Sequence, residues 1–91
     1  MACTVRIPTQ LRTLSGGASE IAVAGDTVAE ALQALDTAHP GFGERLFDEG
    51  GSLRRFVNVF VAEEDIRFLD GVDTKLPDGT VVSIVPAVAG G

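Results

Sequence analysis

The chain ends in two glycines, Gly90 and Gly91, and so presents its terminal carboxylate without a neighbouring side chain. Glycine at the tip of a tail lets the backbone pass a constriction and accept φ values that are closed to other residues. A free carboxylate is a poor acyl donor and needs activation, typically as an acyl-adenylate formed by attack on the α-phosphate of ATP. The pair alone carries little weight, because a chain with 11 glycines among 91 residues can end in two of them by chance. If the tail does acyl chemistry, Gly91 is the substrate group, which a partner enzyme positions for in-line attack.

Pro86 marks the start of this tail. Proline fixes φ and cannot donate to a sheet ladder, so it ends a strand at a definite point. The five residues that follow reach at most about 17 Å, enough to enter a deep site on another protein. A frayed terminus that packs against nothing is the simpler alternative. The residues expected to thread into the partner's site ahead of Gly91 are Ala87, Val88, Ala89 and Gly90.

The other reactive side chains form no catalytic constellation. Cys3 lies on the inward side of a predicted strand without a neighbouring base or cation, which favours core packing over sulfur chemistry. His39 stands alone at the end of a predicted helix, with no second ligand at metal-binding spacing. The acidic runs at residues 48–49 and 63–65 are typical of solvated turns. We therefore expect no metal site and no catalytic residue, so the chain should not be an enzyme.

Composition narrows the class of protein further. A chain of 91 residues with 45% hydrophobic content is expected to form one compact domain. Its net charge of −6 repels phosphate backbones, which argues against nucleic acid and favours a basic protein partner. The sequence has neither a membrane-spanning run nor a secretory signal, which predicts a cytoplasmic protein. Its single cysteine excludes an internal disulfide and a ferredoxin-type cluster.

Periodicity predicts the elements that position the tail. Residues 3–8 and 20–23 alternate with period two and are predicted to form a hairpin. Thr27 and Glu30 have the spacing of a capping box, and an apolar stripe then predicts a helix that ends before Pro40. The structure of residues 41–54 is left open.

Three further strands complete the pattern. Residues 56–61 are predicted to form an inner strand, residues 66–68 a short returning strand, and residues 80–85 the last strand after a Pro-Asp-Gly turn. This order predicts an α+β fold, a ubiquitin-like β-grasp in which one main helix packs across a mixed sheet of four to five strands. The first and last strands should lie side by side in its middle. We expect the domain to span residues 1–86 and a flexible tail to span residues 87–91.

The sequence resembles the ThiS/MoaD family of ubiquitin-like sulfur carriers over nearly its whole length. The C-terminal run VSIVPAVAGG, residues 82–91, carries the strongest likeness. FVNVFV with EDIRF, residues 56–61 and 64–68, is the second match, and VRIPT with the following LR, residues 5–9 and 11–12, is the third. Within the family the chain is most similar to the actinobacterial carriers that serve cysteine biosynthesis.

The resemblance implies a cycle in which an E1-like enzyme adenylates Gly91 with ATP, sulfur converts it to a thiocarboxylate, and this group donates sulfide. In cysteine biosynthesis the acceptor would be O-phosphoserine on a PLP-dependent cysteine synthase, and a zinc metallopeptidase would release cysteine. ATP, PLP and zinc would belong to these partners, and the chain itself would bind no cofactor.

Several other functions remain open. The acceptor could belong to a thiamin, molybdopterin or thiosugar pathway. The chain could also be the small subunit of molybdopterin synthase, a ubiquitin-like protein modifier or a noncatalytic interaction module.

A docking surface is predicted on the face of the sheet that the helix leaves uncovered. Strand parity places Thr4, Arg6 and Ser83 on this solvent face. If the valines of residues 56–61 also lie there, the face carries an apolar patch near the tail that is larger than a solvated sheet needs. Coverage by residues 41–54 is the alternative. The predicted patch consists of Val85, Pro8, Val59 and Val61.

Overall fold

The computed structural model describes residues 2–54 and 57–86. The predicted boundary between domain and tail at residue 86 stays a prediction, because residues 87–91 lie outside this part of the chain. The strands are β1 (Ala2–Arg6), β2 (Glu20–Ala24), β3 (Val57–Val61), β4 (Glu64–Asp65) and β5 (Val81–Pro86). The α-helices are α1 (Val28–Ala38) and α2 (Phe42–Leu46), and short 3₁₀ helices span Thr9–Leu11, Ile66–Phe68 and Gly71–Asp73.

The strands form one mixed sheet in the order β2-β1-β5-β3-β4. β1 and β5 run parallel, whereas β2 pairs with β1, and β3 with both β5 and β4, in antiparallel fashion. The first and last strands are therefore neighbours in the middle of the sheet, as predicted. With α1 packed across one face, the arrangement is a ubiquitin-like β-grasp, which confirms the predicted fold class.

α1 begins and ends where the sequence predicts. The Thr27 hydroxyl accepts a hydrogen bond of 3.3 Å from the Glu30 amide, and the helix runs to His39 as its C-cap. The Glu30 carboxylate accepts a 3.0 Å bond from the amide of Asp26, one residue before the position that a standard capping box uses. Leu32 and Leu35 are fully buried, so this face of the helix is in the core.

The segment left open at residues 41–54 contains α2, which contacts α1. Phe42 and Leu46 are fully buried in the common core. The Asp36 carboxylate accepts bonds from the Gly41 amide at 3.2 Å and the Gly43 amide at 2.8 Å, and so ties the start of α2 to α1. α2 therefore packs with the main helix.

The short returning strand does not lie at Ile66–Phe68, and that prediction is wrong. The chain turns at Ala62 and Glu63, and β4 consists of Glu64–Asp65. The Asp65 carboxylate then accepts a 2.9 Å bond from the Arg67 amide and caps a 3₁₀ helix over Ile66–Phe68. The aspartate side chain competes with the strand ladder for the Arg67 amide, two residues further on, which is why the strand stops after two residues.

Among the described residues, no helix has both the length and the apolar character needed to cross a membrane.

Candidate functional site

β5, the last described element, lies in the middle of the sheet and ends at Pro86. It lies between β1 and β3, and its pairing with β1 is described as far as Ser83, opposite Arg6. Pairing with β3 continues to Pro86, opposite Val57. The last residues of β5 thus extend past their contact with β1. The predicted threading residues Ala87, Val88, Ala89 and Gly90, and the predicted reactive residue Gly91, lie outside the described residues, and their roles stay predictions.

A shallow groove lies on the helix-free side beside this exit. Val85 is 45% exposed and lines the groove together with the half-buried Pro8. Two arginines flank them: Arg12 donates from Nε to the Ile7 carbonyl at 3.2 Å, and Arg6 also lines the groove. The structure brings Val85 and Pro8 together as the sequence predicts. Their role in docking stays a prediction.

Val59 and Val61 do not belong to this surface, and the expectation that they share it is wrong. Val59 is 1% exposed and lies opposite Ile84, whereas Val61 is 7% exposed and lies opposite Val82. Ile84 and Val82 face α1 in the core. The antiparallel register of β3 on β5 places both valines on the helix side, because paired residues in a sheet share a face.

Phe60 occupies the position on the helix-free face that the sequence analysis assigned to these valines. It lies opposite Ser83 and is half-buried. Val85 and Val81 follow and precede Ser83 by two residues, so both are diagonal neighbours of Phe60 on the same face. We call Phe60, Val81 and Val85 the apolar strip. Residues 57–61, VNVFV, alternate between the two faces of the strand, so the sequence separates the valines from Phe60. Because both faces carry apolar residues, the alternation does not tell which of them faces the core.

A hydrogen-bonded turn follows β4 at the edge of the sheet. The Asp65 carboxylate accepts from the Arg67 guanidinium at 2.9 Å, in addition to its bond from the Arg67 amide. The hydrogen bond from the guanidinium has the largest effect on the Asp65 carboxyl, and the bond from the amide adds to it. Together they hold the pKa of this carboxyl below its ordinary value. Ile66 is buried and anchors the turn, whereas Phe68 is 86% exposed. The turn thus holds an aromatic side chain in solvent.

Cys3 and His39 occupy structural positions. Cys3 is 3% exposed in β1, and burial raises the pKa of its thiol, which disfavours a nucleophilic thiolate. His39 lies edge-on to the Phe42 ring, with ring centroids 6.5 Å apart. Within residues 2–54 and 57–86, no group of three His, Cys, Asp or Glu side chains could hold a metal ion.

The sequence and the fold of this chain are similar to those of known proteins. The model of the ThiS family matches residues 5–91. The chain is 45% identical over 93 aligned residues to the sulfur carrier protein CysO of Mycobacterium tuberculosis, and the alignment covers all of both proteins. Its fold matches a chain of the BexX/CysO complex of Amycolatopsis orientalis with a TM-score of 0.92 and 44% identity, covering 98% of this chain and 99% of that one.

A small modifier protein from an archaeon is also similar to this chain. The small archaeal modifier protein 3 of Haloferax volcanii is 38% identical over 65 residues, which cover 71% of this chain and 70% of that protein. Sulfur carrier proteins of the ThiS and CysO type are small protein substrates and not enzymes. With a family model that matches residues 5–91 and full-length identity to a sulfur carrier, this chain belongs to the ThiS family.

Proposed function

We propose that this chain is a sulfur carrier whose Gly91 carboxylate is adenylated by an E1-like enzyme and converted to a thiocarboxylate that donates sulfide in cysteine biosynthesis. The observation that carries the proposal is the place of β5. This strand lies between β1 and β3, and five residues after its end at Pro86 the sequence reaches Gly91. The full-length similarity to CysO supports the pathway.

The proposed chemistry requires only a terminal carboxylate from this chain. A carboxylate oxygen of Gly91 attacks the α-phosphorus of ATP, pyrophosphate leaves, and a mixed anhydride forms. A sulfur nucleophile then attacks the carbonyl carbon and AMP leaves. Hydrosulfide gives the thiocarboxylate directly, whereas a persulfide gives an acyl disulfide whose sulfur–sulfur bond a second thiol must reduce. The carrier contributes by positioning, because the enzyme holds the tail in line for attack.

Val85, Phe60 and Pro8 form the proposed contact with the activating enzyme, at the end of the apolar strip that Val81 does not reach. Val85 is exposed one residue before Pro86, so an enzyme that encloses the tail would meet it first. Burial of apolar side chains contributes roughly 25 cal/mol per Å² of surface removed from water. Because Val59 and Val61 are buried in the core, this surface is smaller than the patch predicted from the sequence. Phe60 takes their place and adds an aromatic ring to the surface.

The proposed acceptor is O-phosphoserine on a PLP-dependent cysteine synthase, after which a zinc metallopeptidase would release cysteine from the carrier. The solved BexX/CysO complex supports the idea that a carrier of this type engages a separate protein. PLP, zinc and ATP would all be held by partner enzymes.

Removal of Gly91 tests the proposed reactive group. Incubation of the full chain with an adenylating enzyme, ATP and a sulfur donor should replace one terminal oxygen by sulfur, seen as a mass increase of the intact protein. The variant that lacks Gly91 should keep its far-UV circular dichroism and show no such increase. Sulfur incorporation in that variant at the normal rate would refute the assignment.

The Val85→Asp variant tests the docking surface, because it places a charge beside the tail without disturbing the core. We expect it to lose ATP–pyrophosphate exchange with the activating enzyme while its circular dichroism is unchanged. Val81→Asp is the matched control: Val81 is 36% exposed on the same face but lies at the start of β5, far from the tail. Normal exchange by Val85→Asp, or equal loss in both variants, would contradict the proposal.

A role as protein modifier is the second candidate, favoured by the similarity to the small archaeal modifier protein. The same activated carboxylate would then be attacked by a lysine amine of a target, and an isopeptide bond would form as AMP leaves. Mass spectrometry distinguishes the two functions, because a lysine-linked adduct contains no thiocarboxylate sulfur.

A further inference from the structure

Phe68 is an exposed aromatic side chain that the function proposed above does not use. It is 86% exposed, and the adjacent Leu69 is 39% exposed. Single apolar residues on a protein surface are common and need no explanation of their own. The significance of Phe68 therefore depends on how the chain around it is held, on the charges beside it and on its place in the sheet.

Hydrogen bonds hold the backbone just before Phe68. The Asp65 carboxylate accepts from the Arg67 amide at 2.9 Å. The Leu69 amide donates to the Ile66 carbonyl at 3.0 Å and closes the 3₁₀ helix around Phe68. Because Ile66 is 2% exposed, this helix is anchored in the core.

A second set of bonds holds the chain just after Phe68. The Asp70 amide donates to the Thr74 hydroxyl at 3.1 Å, and that hydroxyl donates to the Gly71 carbonyl at 2.7 Å. Thr74 is itself buried. Since the backbone on both sides of Phe68 is already ordered, a partner that binds the ring has little further conformational entropy to remove.

The charges beside Phe68 are mainly negative. Residues 63–75 contain five carboxylates and two cations. Of these cations, Arg67 already binds Asp65 at 2.9 Å. Asp70 and Asp73 are exposed, and within the described part of the chain their carboxylates form no ion pair and cap no helix. A complementary surface is therefore an apolar pocket with lysine or arginine at its edge.

Phe68 also continues the surface proposed to meet the activating enzyme. Asp65 lies opposite Phe60 in the ladder between β3 and β4, so its carboxylate shares the helix-free face with Phe60. The Arg67 guanidinium binds that carboxylate, and Phe68 is the next residue. β4 lies two strand positions from β5, about 10 Å away. A standard interface of roughly 800 Å² per partner can therefore cover Val85 and Phe68 together.

The activating enzyme is the partner with the greatest need of such a contact. Before sulfur is added, the carrier presents the same terminal carboxylate as any other protein chain. The residues just ahead of Gly91 are alanine, valine and glycine, which offer few groups for specific recognition. Discrimination against other chains must then come from the folded domain. An enzyme that takes sulfur from the thiocarboxylate can recognise that group directly.

We propose that Phe68 is an anchor through which the activating enzyme recognises this carrier. Its ring inserts into an apolar pocket of the enzyme, and lysine or arginine at the edge of that pocket lies opposite Asp70 and Asp73. The inference rests on the proposed activation of Gly91. A second copy of this chain fits less well, because the same carboxylates flank the ring in both copies and each copy has a net charge of −6.

Steady-state ATP–pyrophosphate exchange with the activating enzyme and the full chain tests the anchor. Phe68→Ser should raise the KM for the carrier about tenfold or more and leave kcat within about twofold, since the pocket holds the ring and not the reacting carboxylate. The urea midpoint should stay that of the parent, because this side chain is exposed. Phe68→Leu keeps an apolar side chain and should change KM less than about threefold.

The double variant Asp70→Asn, Asp73→Asn tests the basic edge of the pocket. Its KM should be several-fold higher at low salt and depend less on ionic strength than that of the parent, because charges at the edge of an interface act mainly on association. Glu44→Gln with Glu49→Gln is the matched control. These two carboxylates line a groove with Asp36 of α1, on the other side of the sheet, and their removal should change KM little.

Each result bears on a different part of the proposal. An unchanged KM in Phe68→Ser, with normal exchange by the parent, would overturn the anchor and leave the proposed function standing. No exchange by the parent would remove the proposed function and the anchor with it. Equal effects of the two charge variants would contradict the basic edge. A mass that rises with concentration in analytical ultracentrifugation for the parent, but not for Phe68→Ser, would assign the ring to a contact between copies instead.

Discussion

Gly25 joins β2 to α1 at a point with no room for a side chain. A Cβ built on this residue would lie 2.7 Å from the Ala31 backbone nitrogen. Because the obstacle is helix backbone and not the end of a flexible side chain, the two elements would have to move apart. A glycine here therefore sets how closely the start of the main helix approaches the edge strand.

Gly25→Ala should lower the free energy of unfolding by about 1–3 kcal/mol, as overpacking usually does. Urea denaturation followed by circular dichroism measures the loss. Gly50→Ala is the control, since its Cβ would meet only the Asp48 carboxylate at 3.4 Å, an ordinary contact. The interpretation fails if the two variants are equally stable.

The hairpin between β3 and β4 uses a turn that its residues do not favour. Ala62 and Glu63 both have positive φ, 50° and 75°, and Val61 pairs directly with Glu64 across the two-residue loop. Turns of this type strongly prefer Asn-Gly, because asparagine and glycine tolerate the left-handed region. The turn therefore stores strain that a substitution can release.

The double variant Ala62→Asn, Glu63→Gly should raise the free energy of unfolding by about 1 kcal/mol. A non-glycine residue with left-handed φ costs roughly 1–2 kcal/mol, which the variant relieves. The gain is smaller than this sum because glycine loses more conformational entropy on folding. Thermal and urea denaturation would show it. Ala62→Val should have the opposite sign, because a branched side chain fits this conformation poorly. A destabilised double variant would show that the turn is not strained.

The 3₁₀ helix that follows β4 depends on an ionised Asp65. Bonding to the Arg67 guanidinium lowers the pKa of this carboxyl in the folded state. A carboxyl with a lowered folded pKa adds stability above its unfolded pKa, about 3.9, and loses that contribution as the pH falls through the folded value.

Asp65→Asn should therefore flatten the dependence of the urea midpoint on pH at pH values below about 4. Its effect at neutral pH should be modest, because the Arg67 side chain of the pair is 65% exposed. Asp78→Asn is a suitable control, as Asp78 caps no helix and accepts one bond from the Ala2 amide. Parallel pH profiles for Asp65→Asn and the parent would contradict the expected role of the ion pair.

At the scale of the whole molecule, the buried hydrophobic residues within residues 2–54 and 57–86 form one core, enclosed by the sheet, α1 and α2. Cys3 belongs to it, in a strand with neighbours on both sides. Because burial also raises the pKa of its thiol, a thiol reagent should reach Cys3 only when the sheet opens. This cysteine is a reporter of global unfolding.

Labelling of Cys3 by a disulfide reagent should be slow in the native protein and fast in urea. If labelling follows opening of the whole domain, Gly25→Ala should accelerate it by the factor that corresponds to its lost stability, tenfold for every 1.4 kcal/mol. Native labelling as fast as in urea, or a rate unchanged by Gly25→Ala, would show that local motion exposes the thiol.

The order of the strands and the main helix, the bounds of α1 and the burial of Cys3 could all be predicted from the sequence. Each depends on neighbours along the chain. Thr27 caps the helix through Glu30, three residues away, and Pro40 stops it nearby. The role of Gly91 stays a prediction, because residues 87–91 lie outside the described part of the chain.

β3 has apolar side chains on both of its faces, and the sequence could not decide which of the two faces is buried. Val59 and Phe60 both suit a sheet surface, and only the register of β3 on β5 directs Val59 into the core and Phe60 toward solvent. The end of β4 also escaped prediction, because the Asp65 carboxylate competes with the ladder for the Arg67 amide. The open edge of β2 follows from strand order. Local sequence encodes conformation, but faces, edges and register arise from pairing between residues far apart in the chain.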